Sequence, residues 1–347
     1  MATPLPPRRR PTMVDVAARA GVSRALVSLV FRGQPGASAE TRSRVLAAAE
    51  ELGYRPDSAA RLLARGRSRT LGVLMTVREP FEADLVEAIY PEAERLGYEV
   101  LLSARTPGRD EATAVEGLLA HRCEAIVLLG PDVGDAFLTE LGARTVAVVV
   151  GRAAPGLDSV HSADAEGVRQ AVDHLVGLGH RDVVHVDGGT GPNAAARRTG
   201  YLEAMAAHGF GGRARVLPGA YHEDAGIAAA QALLAGPELP TAVLAANDRC
   251  ALGLLDTLRR NGVDVPGRVS VVGYNDDRLA RLSHVDLTTV RQDAGLLARH
   301  AVRAAAARLD DPDLEPGETE LTPELVVRGT TAPPGVPGGA LAADVAP

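Results

Sequence analysis

The stretch VDVAARAGVSRALVSLVF (residues 14–31) scans as helix on both sides of one interruption, Gly21. Val16, Ala17 and Ala20 recur at helical spacing before it, and Leu26, Val27 and Val30 after it. Two short amphipathic helices are therefore predicted. Thr12 and Ser23 stand where an N-cap hydroxyl takes an unpaired amide of the first turn. Gly21 supplies the positive φ that a tight turn demands. Val22 points back to the core, small Ala17 permits close approach of the helices, and Val27 fills the space between them. A third helix over 39–52 starts at the cap Ser38, buries Val45, Ala49 and Leu52, and stops at Gly53. Two short helices crossing steeply over a third make a helix-turn-helix. In that arrangement the N-terminal side chains of the second helix enter the major groove, here Arg24, Ala25 and Ser28 or Leu29. Ser23, Ser38, Thr41 and Arg42 are placed to hold phosphates, which fixes register without reading sequence.

Charge divides along the same line. Residues 1–70 hold 13 arginines and 5 acidic residues, the remainder 24 arginines and 39 acidic residues, and there is no lysine. A small basic head on a large acidic body implies that the head meets a polyanion and the body does not. At 347 residues the chain is long enough for two or three domains. Its composition is 46% hydrophobic but only 3% aromatic, so Ala, Val and Leu must fill the cores. No run reaches the roughly 18 apolar residues of a membrane span. Arg8, Arg9 and Arg10 are not followed by an apolar stretch, so no secretory signal is read there. Cys123 and Cys250 lie far apart and read as buried thiols of a reducing, cytoplasmic compartment.

From Thr70 the pattern changes to short apolar runs alternating with helical segments. TLGVLMTV (70–77), YEVLLS (98–103), AIVLLG (125–130) and TVAVVVG (145–151) read as buried parallel strands. The cycle repeats at DVVHVDG (182–188), ARVLPG (214–219), TAVLAAN (241–247) and VSVVGYND (269–276). Helices such as 82–96 and 110–121 lie between them. The predicted fold class is an all-α helix-turn-helix head followed by an α/β core of two doubly wound parallel lobes with a cleft between them. Ligands bind at the carboxyl ends of such strands. That singles out Asn247, whose amide can both donate and accept, and Thr76 and Arg78 after the first strand.

Enzymatic readings fail on geometry. GTGPNA (189–194) formally fits a dinucleotide fingerprint, but Pro192 sits where amides should face a pyrophosphate. The loop is read as cleft rim. His161, Ser162 and Asp164 are sequence neighbours in an expected inter-lobe linker, without a strained nucleophile turn. His174, His180 and His185 lack zinc spacing and are expected to cap or to face solvent. No catalytic residue, metal or cofactor is expected.

Long segments in order sharpen this picture: TMVDVAARAGVS, SAETRSRVLAAAEELGYRPD, LGYRPDSAARLLARGRSRTLGVL (52–74), HLVGLGHRDVVHV (174–186), RRTGY (197–201), the run 241–276, LTTVRQD (287–293) and LVVRGTTAPP (325–334). Over residues 12 to about 334 the chain resembles the lac repressor (LacI/GalR) family of bacterial transcription regulators. The resemblance implies a periplasmic-binding-protein-like core, a homodimer on a pseudo-palindromic double-stranded operator, and a small-molecule effector, a sugar, in the cleft. It implies a hinge helix after Tyr54, with Leu63 wedged into the minor groove between small Ala60 and Ala64. Arg61, Arg65, Arg67 and Arg69 would lie near phosphates. Arg197 would grip the effector, Tyr221 would stack on it, and Asn275 would bond it beside Asn247. It also implies that the chain crosses back between lobes near its end. The expected organisation is a basic tail (1–11), a DNA-binding domain (12–57), a hinge (58–70) and a core (71–332), followed by a Pro/Gly/Ala-rich disordered tail (333–347). Within the core, lobe 1 takes about 71–162 and 291–321, and lobe 2 about 163–290 and 322–332. The tail has no leucine heptads, so a dimer is expected. Several positions depart from the family: Leu29 replaces a base-reading Arg, Asp57 an Asn, Asn275 an Asp, and Gly151 and Ala163 an Asp each. The body alone would equally suit a sugar-binding transport protein, but the basic head argues against it.

Overall fold

The computed structural model describes residues 11–31, 33–54 and 67–335. The chain forms two compact units, residues 1–68 and 69–347.

In the first unit α1 spans Met13–Ala20, α2 Arg24–Phe31 and α3 Ala39–Leu52. Thr12 and Asp15 form a reciprocal capping box: the Asp15 amide donates to Thr12 Oγ1 at 3.4 Å and Asp15 Oδ2 takes the Thr12 amide at 2.7 Å. Gly21 ends α1 at φ 66° and Gly53 ends α3 at φ 64°. Ser23 Oγ accepts the Leu26 amide at 3.2 Å, and Ser38 Oγ the Thr41 amide at 3.2 Å. Val16, Val27 and Val45 are fully buried, with Ala17, Val30, Ala48 and Ala49 around them. Leu26 and Leu52, predicted as core, are only half-buried. Phe31 and Tyr54 close the margin, their rings 5.6 Å apart. The core is thus built almost wholly from Val and Ala, as the small side chains of a short, closely crossed helix set require.

The second unit contains two six-stranded sheets. The first has the order β11-β5-β4-β3-β1-β2, all parallel, from β1 Thr70–Thr76, β2 Glu99–Arg105, β3 Ala125–Leu129, β4 Val146–Val150, β5 Asp158–Ser162 and β11 Glu318–Leu321. The second has the order β12-β10-β9-β8-β6-β7, from β6 Val183–Val186, β7 Arg215–Leu217, β8 Ala242–Leu244, β9 Ser270–Asn275, β10 Thr288–Arg291 and β12 Glu324–Val326. Only β12 runs antiparallel, against β10. The helices are α4 Pro80–Arg95, α5 Glu111–Ala120, α6 Asp135–Arg144, α7 Asp164–Gly177, α8 Ala194–Ala207, α9 Glu223–Leu234, α10 Asp248–Arg260 and α11 Ala294–Asp310.

The chain changes lobe three times: between β5 and α7, between β10 and α11, and between β11 and β12. Helix α11 follows a strand of the second sheet yet buries Leu297, Ala298, Ala301 and Val302 against Leu71, Val148 and Val160 of the first. The first crossover is shorter than expected. His161 and Ser162 end β5, and Asp164 already opens α7, so the predicted linker is part of a sheet edge and a helix start.

The histidines are a correction too. His180 and His185 are buried, and neither they nor His174 caps a helix. Their ring nitrogens bond Thr331 Oγ1 (His174 Nε2), the Ala332 carbonyl (His180 Nε2) and the Leu244 carbonyl (His185 Nδ1), each at about 3 Å. Burial pushes the His185 imidazole down to about 4, so it is a neutral core side chain. No described helix is long and apolar enough to cross a membrane.

Helices α9 and α10 touch through two glycines. A Cβ on Gly226 would fall 1.9 Å from the Cys250 carbonyl oxygen, and one on Gly253 would fall 2.0 Å from the Glu223 carbonyl oxygen. Both clashes are with backbone, so the helices would have to part. Gly226→Ala should cost about 1–3 kcal/mol in a denaturant titration, despite alanine's better helix propensity. A neutral or stabilising result would show that the pair can slide apart freely.

Candidate functional site

A cavity of about 160 Å3 opens where the carboxyl ends of the two sheets face each other. Thr76, Glu79, Glu82, Arg105, Gly130 and Gly151 form its lobe-1 wall; Asn193, Arg197, Tyr221, Asn247, Asn275 and Gln292 form its lobe-2 wall. Each wall is built mostly from residues that end or follow a strand or lie in the first turn of a helix, where side chains leave the packed layer.

Arg197 is nearly buried and largely engaged with protein. Nε donates to Asp164 Oδ1 at 2.6 Å, Nη1 donates to the Ala246 carbonyl at 2.7 Å, and the guanidinium lies 3.6 Å from the Tyr274 ring centroid. Burial opposes its charge, but Asp164 beside it more than compensates and holds the pKa above its usual value. Asp164 opens α7 at the first crossover, so the same ion pair ties the cavity to the segment joining the lobes. Tyr221 sends its hydroxyl to the Pro192 carbonyl at 2.7 Å, and its ring lies 5.5 Å from the Arg197 guanidinium. Its ring also fills the place a Cβ would need at Gly188 or Gly191, which explains those two glycines of the rim.

Asn247 caps α10: Oδ1 accepts the Cys250 amide at 2.9 Å and Nδ2 donates to the Tyr221 carbonyl at 3.3 Å. Asn275 sits at φ 122°, and its Oδ1 accepts Gln292 Nε2 at 2.8 Å. Thr76 Oγ1 accepts Arg105 Nη2 at 3.0 Å, while its amide donates to Glu82 Oε2 at 2.5 Å. These side chains therefore face the cavity with part of their bonding capacity already committed. Arg78 is placed differently from expectation. It is exposed and lines a neighbouring hollow with Val77, Thr106 and Pro107, because the chain turns outward before α4.

Sequence reading missed Glu79, Glu82, Arg105 and Gln292, while Asn193 falls in the 189–194 loop that was read as cleft rim. Pro80 was the available signal for two of them: proline favours the first helical position, which starts α4 at the cleft with Glu79 as its flank. Burial pushes the Glu79 carboxyl up to about 7 and the Glu82 carboxyl up to about 8. The walls also touch directly. Asn193 Nδ2 donates to the Gly151 carbonyl, Arg249 pairs with Glu79 at 3.5 Å, and Arg278 pairs with Asp84 at 2.9 Å.

On the head, Arg24 and Ala25 are exposed at the start of α2, while Ser28 and Leu29 are half-buried. Leu29 Cδ1 lies 3.2 Å from the position of a Cβ at Gly36 and so packs on the following loop. Ser23 and Ser38 are caps, and Thr41 Oγ1 bonds Ser38 Oγ at 2.9 Å. Arg42 donates to the Val30 and Gln34 carbonyls at 3.2 and 3.1 Å, holding the α2–α3 loop. Arg61 and Leu63, with residues 58–66 of the expected 58–70 hinge, lie outside the described residues.

Residues 12–57 match the family of bacterial regulatory proteins of the lacI family, and residues 172–331 match the periplasmic binding protein-like domain. The transcriptional regulator GalR of Escherichia coli K12 is 33% identical over 330 residues, spanning 93% of this chain and 96% of that protein. A crystal structure of the lac repressor dimer bound to operator and the anti-inducer ONPF superposes with a TM-score of 0.82 at 30% identity, covering 93% of this chain and all of that one. A complex of the transcriptional regulator CelR with cellobiose gives a TM-score of 0.68 at 31% identity, covering 92% of this chain and 100% of that one. The head that a transport protein would lack is thus matched together with the core. The chain belongs to the lacI family of bacterial regulatory proteins and is a DNA-binding transcriptional regulator, not an enzyme.

Proposed function

We propose that this regulator is a cytoplasmic repressor that binds a pseudo-palindromic operator as a homodimer and is controlled by a sugar held between its lobes. The observation that carries the reading is the cavity lined jointly by both lobes, with Arg197 at its wall bonded to Asp164 at the crossover. A ligand that touches both walls binds one lobe angle better than another, and only such a difference shifts a conformational equilibrium. A 100-fold change in operator affinity needs about 2.7 kcal/mol of differential binding between the two states. The operator-bound lac repressor dimer and the cellobiose-bound CelR support the partners by likeness. We assign the DNA-binding role to residues 12–57 and the effector role to 71–332, with 58–70 as the hinge.

Gel shift against the DNA upstream of the chain's own gene, at fixed salt, tests the head. Arg24→Ala should weaken operator binding by about 1–3 kcal/mol, and relax selectivity if Arg24 reads a base. Leu63→Ala should also weaken it while leaving effector binding intact, as loss of an apolar wedge requires. If neither variant differs from the wild type, the assignment of these side chains to DNA fails. If the wild type shows no salt-sensitive, sequence-selective binding to any such fragment, the operator reading itself fails.

A further inference from the structure

We propose that the effector is a polyol carrying a basic nitrogen, an amino sugar, whose ammonium seats against Glu79 and Glu82 on the lobe-1 wall of the cleft. This rests on the effector reading above and narrows its ligand class.

The argument is a balance of charge inside one cavity. The two arginines that line it are each cancelled by a buried carboxylate outside it. Arg197 bonds Asp164 at 2.6 Å, and Arg105 bonds Glu111 at 2.6 Å. Neither has a full charge left to offer a ligand. Glu79 and Glu82 are not cancelled in the same way. Glu79 meets Arg249 only at 3.5 Å, and that guanidinium is already held in a two-point grip by Glu223. The other oxygen of Glu79, Oε1, is buried without a hydrogen-bond partner among the described residues. Glu82 is 6% exposed, takes the Thr76 amide, and makes no ion pair among the described residues. The cavity therefore carries surplus acceptor capacity on one wall, and two carboxyls there that a cation could draw into ionising.

On the facing wall, Asn275 and Gln292 bond each other and offer neutral polar groups suited to hydroxyls. A buried carboxylate without a partner is costly, and burial accordingly pushes both acids up toward neutrality. A cationic ligand removes that cost by supplying the missing charge and up to three N–H donors. A carboxylate or phosphate ligand would add to it. Glu82 also stands 3.0 Å from the place a Cβ would take at Gly130, so that glycine leaves room for the acid in the wall.

The test is calorimetric titration of the full chain at neutral pH with glucosamine, galactosamine and mannosamine. Each is set against its parent hexose and its N-acetyl derivative, in which the charge is gone. At least one amine should bind about tenfold or more tightly than both of its neutral partners, the scale of one charge-assisted pair. Glu79→Gln and Glu82→Gln should each reduce that preference, and the double variant should abolish it while keeping operator binding, which shows that the chain is folded. Hexose binding without an amine preference, or a preference that survives both substitutions, overturns this inference and leaves the sugar effector standing. No binding by any of the nine compounds overturns both.

Discussion

Asp164→Ala is expected to lower the unfolding free energy of the effector-binding unit by about 3–5 kcal/mol, the loss typical of a buried ion pair stripped of one partner. Arg197 and Asp164 are each about 5% exposed, so water does not replace the lost carboxylate. Arginine cannot shed its proton to escape. What remains around the guanidinium is the Ala246 carbonyl at 2.7 Å and the face of Tyr274, partners for part of a charge but not for all of it. Denaturant unfolding followed by circular dichroism measures the loss directly. Asp164→Asn keeps one acceptor oxygen and should lose less. The double variant Asp164→Leu with Arg197→Met, which removes both charges and fills the space, should recover most of the stability. A loss below about 1 kcal/mol in Asp164→Ala would mean that the lobes open enough to hydrate Arg197. The pair would then be a surface contact and the link between cavity and crossover would be void. Because Asp164 opens α7 at the crossover, the substitution should also alter the response of operator binding to effector, beyond any change in effector affinity.

The elements legible in the sequence are those whose residues answer to local physics. Gly21 and Gly53 need a left-handed backbone, Ser23 and Ser38 offer hydroxyls to the first turn, and Val16, Val27 and Val45 recur at helical spacing. The eight apolar runs of the core became strands, with ends shifted by a few residues. What stayed hidden was set by tertiary context. β5 (DSVHS), β10 (TTVR), β11 (ETEL) and β12 (ELV) carry no apolar run, since they extend sheets at or near their edges or join the lobes. Their pairing is decided by the neighbouring strand. The two crossings near the end of the chain were expected only from family resemblance, because no periodicity encodes which sheet a strand joins.

The cleft shows the same split. Arg197, Tyr221, Asn247, Asn275 and Thr76 line it. Their bonding was not legible, because Asn247 serves as a helix cap and Asn275 as a partner of Gln292. Gln292 follows a strand that was not read, and Glu79 and Glu82 look like ordinary acids at the exposed start of a helix. Arg249 of the opposing lobe reaches Glu79 from 170 residues away, and Glu82 turns in against Thr76 and Gly130, contacts that only the folded chain brings together.

Their burial leads to the second large effect, a stability that falls as pH rises. An unfolded Glu82 titrates near 4.5, whereas burial in the folded chain pushes it up to about 8. Below 4.5 both states hold the proton and this group contributes no pH dependence. Between 4.5 and 8 the folded state keeps a proton that the unfolded state has lost, so each pH unit lowers the unfolding free energy by about 1.4 kcal/mol. Above 8 both are ionised and the penalty is complete, on the order of 3–5 kcal/mol. The Thr76 amide and the more distant Arg105 charge oppose the rise, and the Glu79 charge reinforces it. Opening of the cleft limits the loss, since it readmits water to the carboxylate. Asp248 and Asp277 are also pushed up by burial and tilt the whole curve in the same sense, so the informative quantity is the difference between variant and wild type. Glu82→Gln should match the wild type to within about 1 kcal/mol at pH 4 and exceed it by about 2–5 kcal/mol at pH 9, measured as paired denaturant titrations. A saturating cationic ligand in the cleft should shrink the difference at high pH by stabilising the ionised wild type. A difference that stays constant from pH 4 to pH 9 would mean that Glu82 keeps an ordinary carboxyl titration in the folded chain, and the lobe-1 wall would then hold hydrated, not stranded, charge.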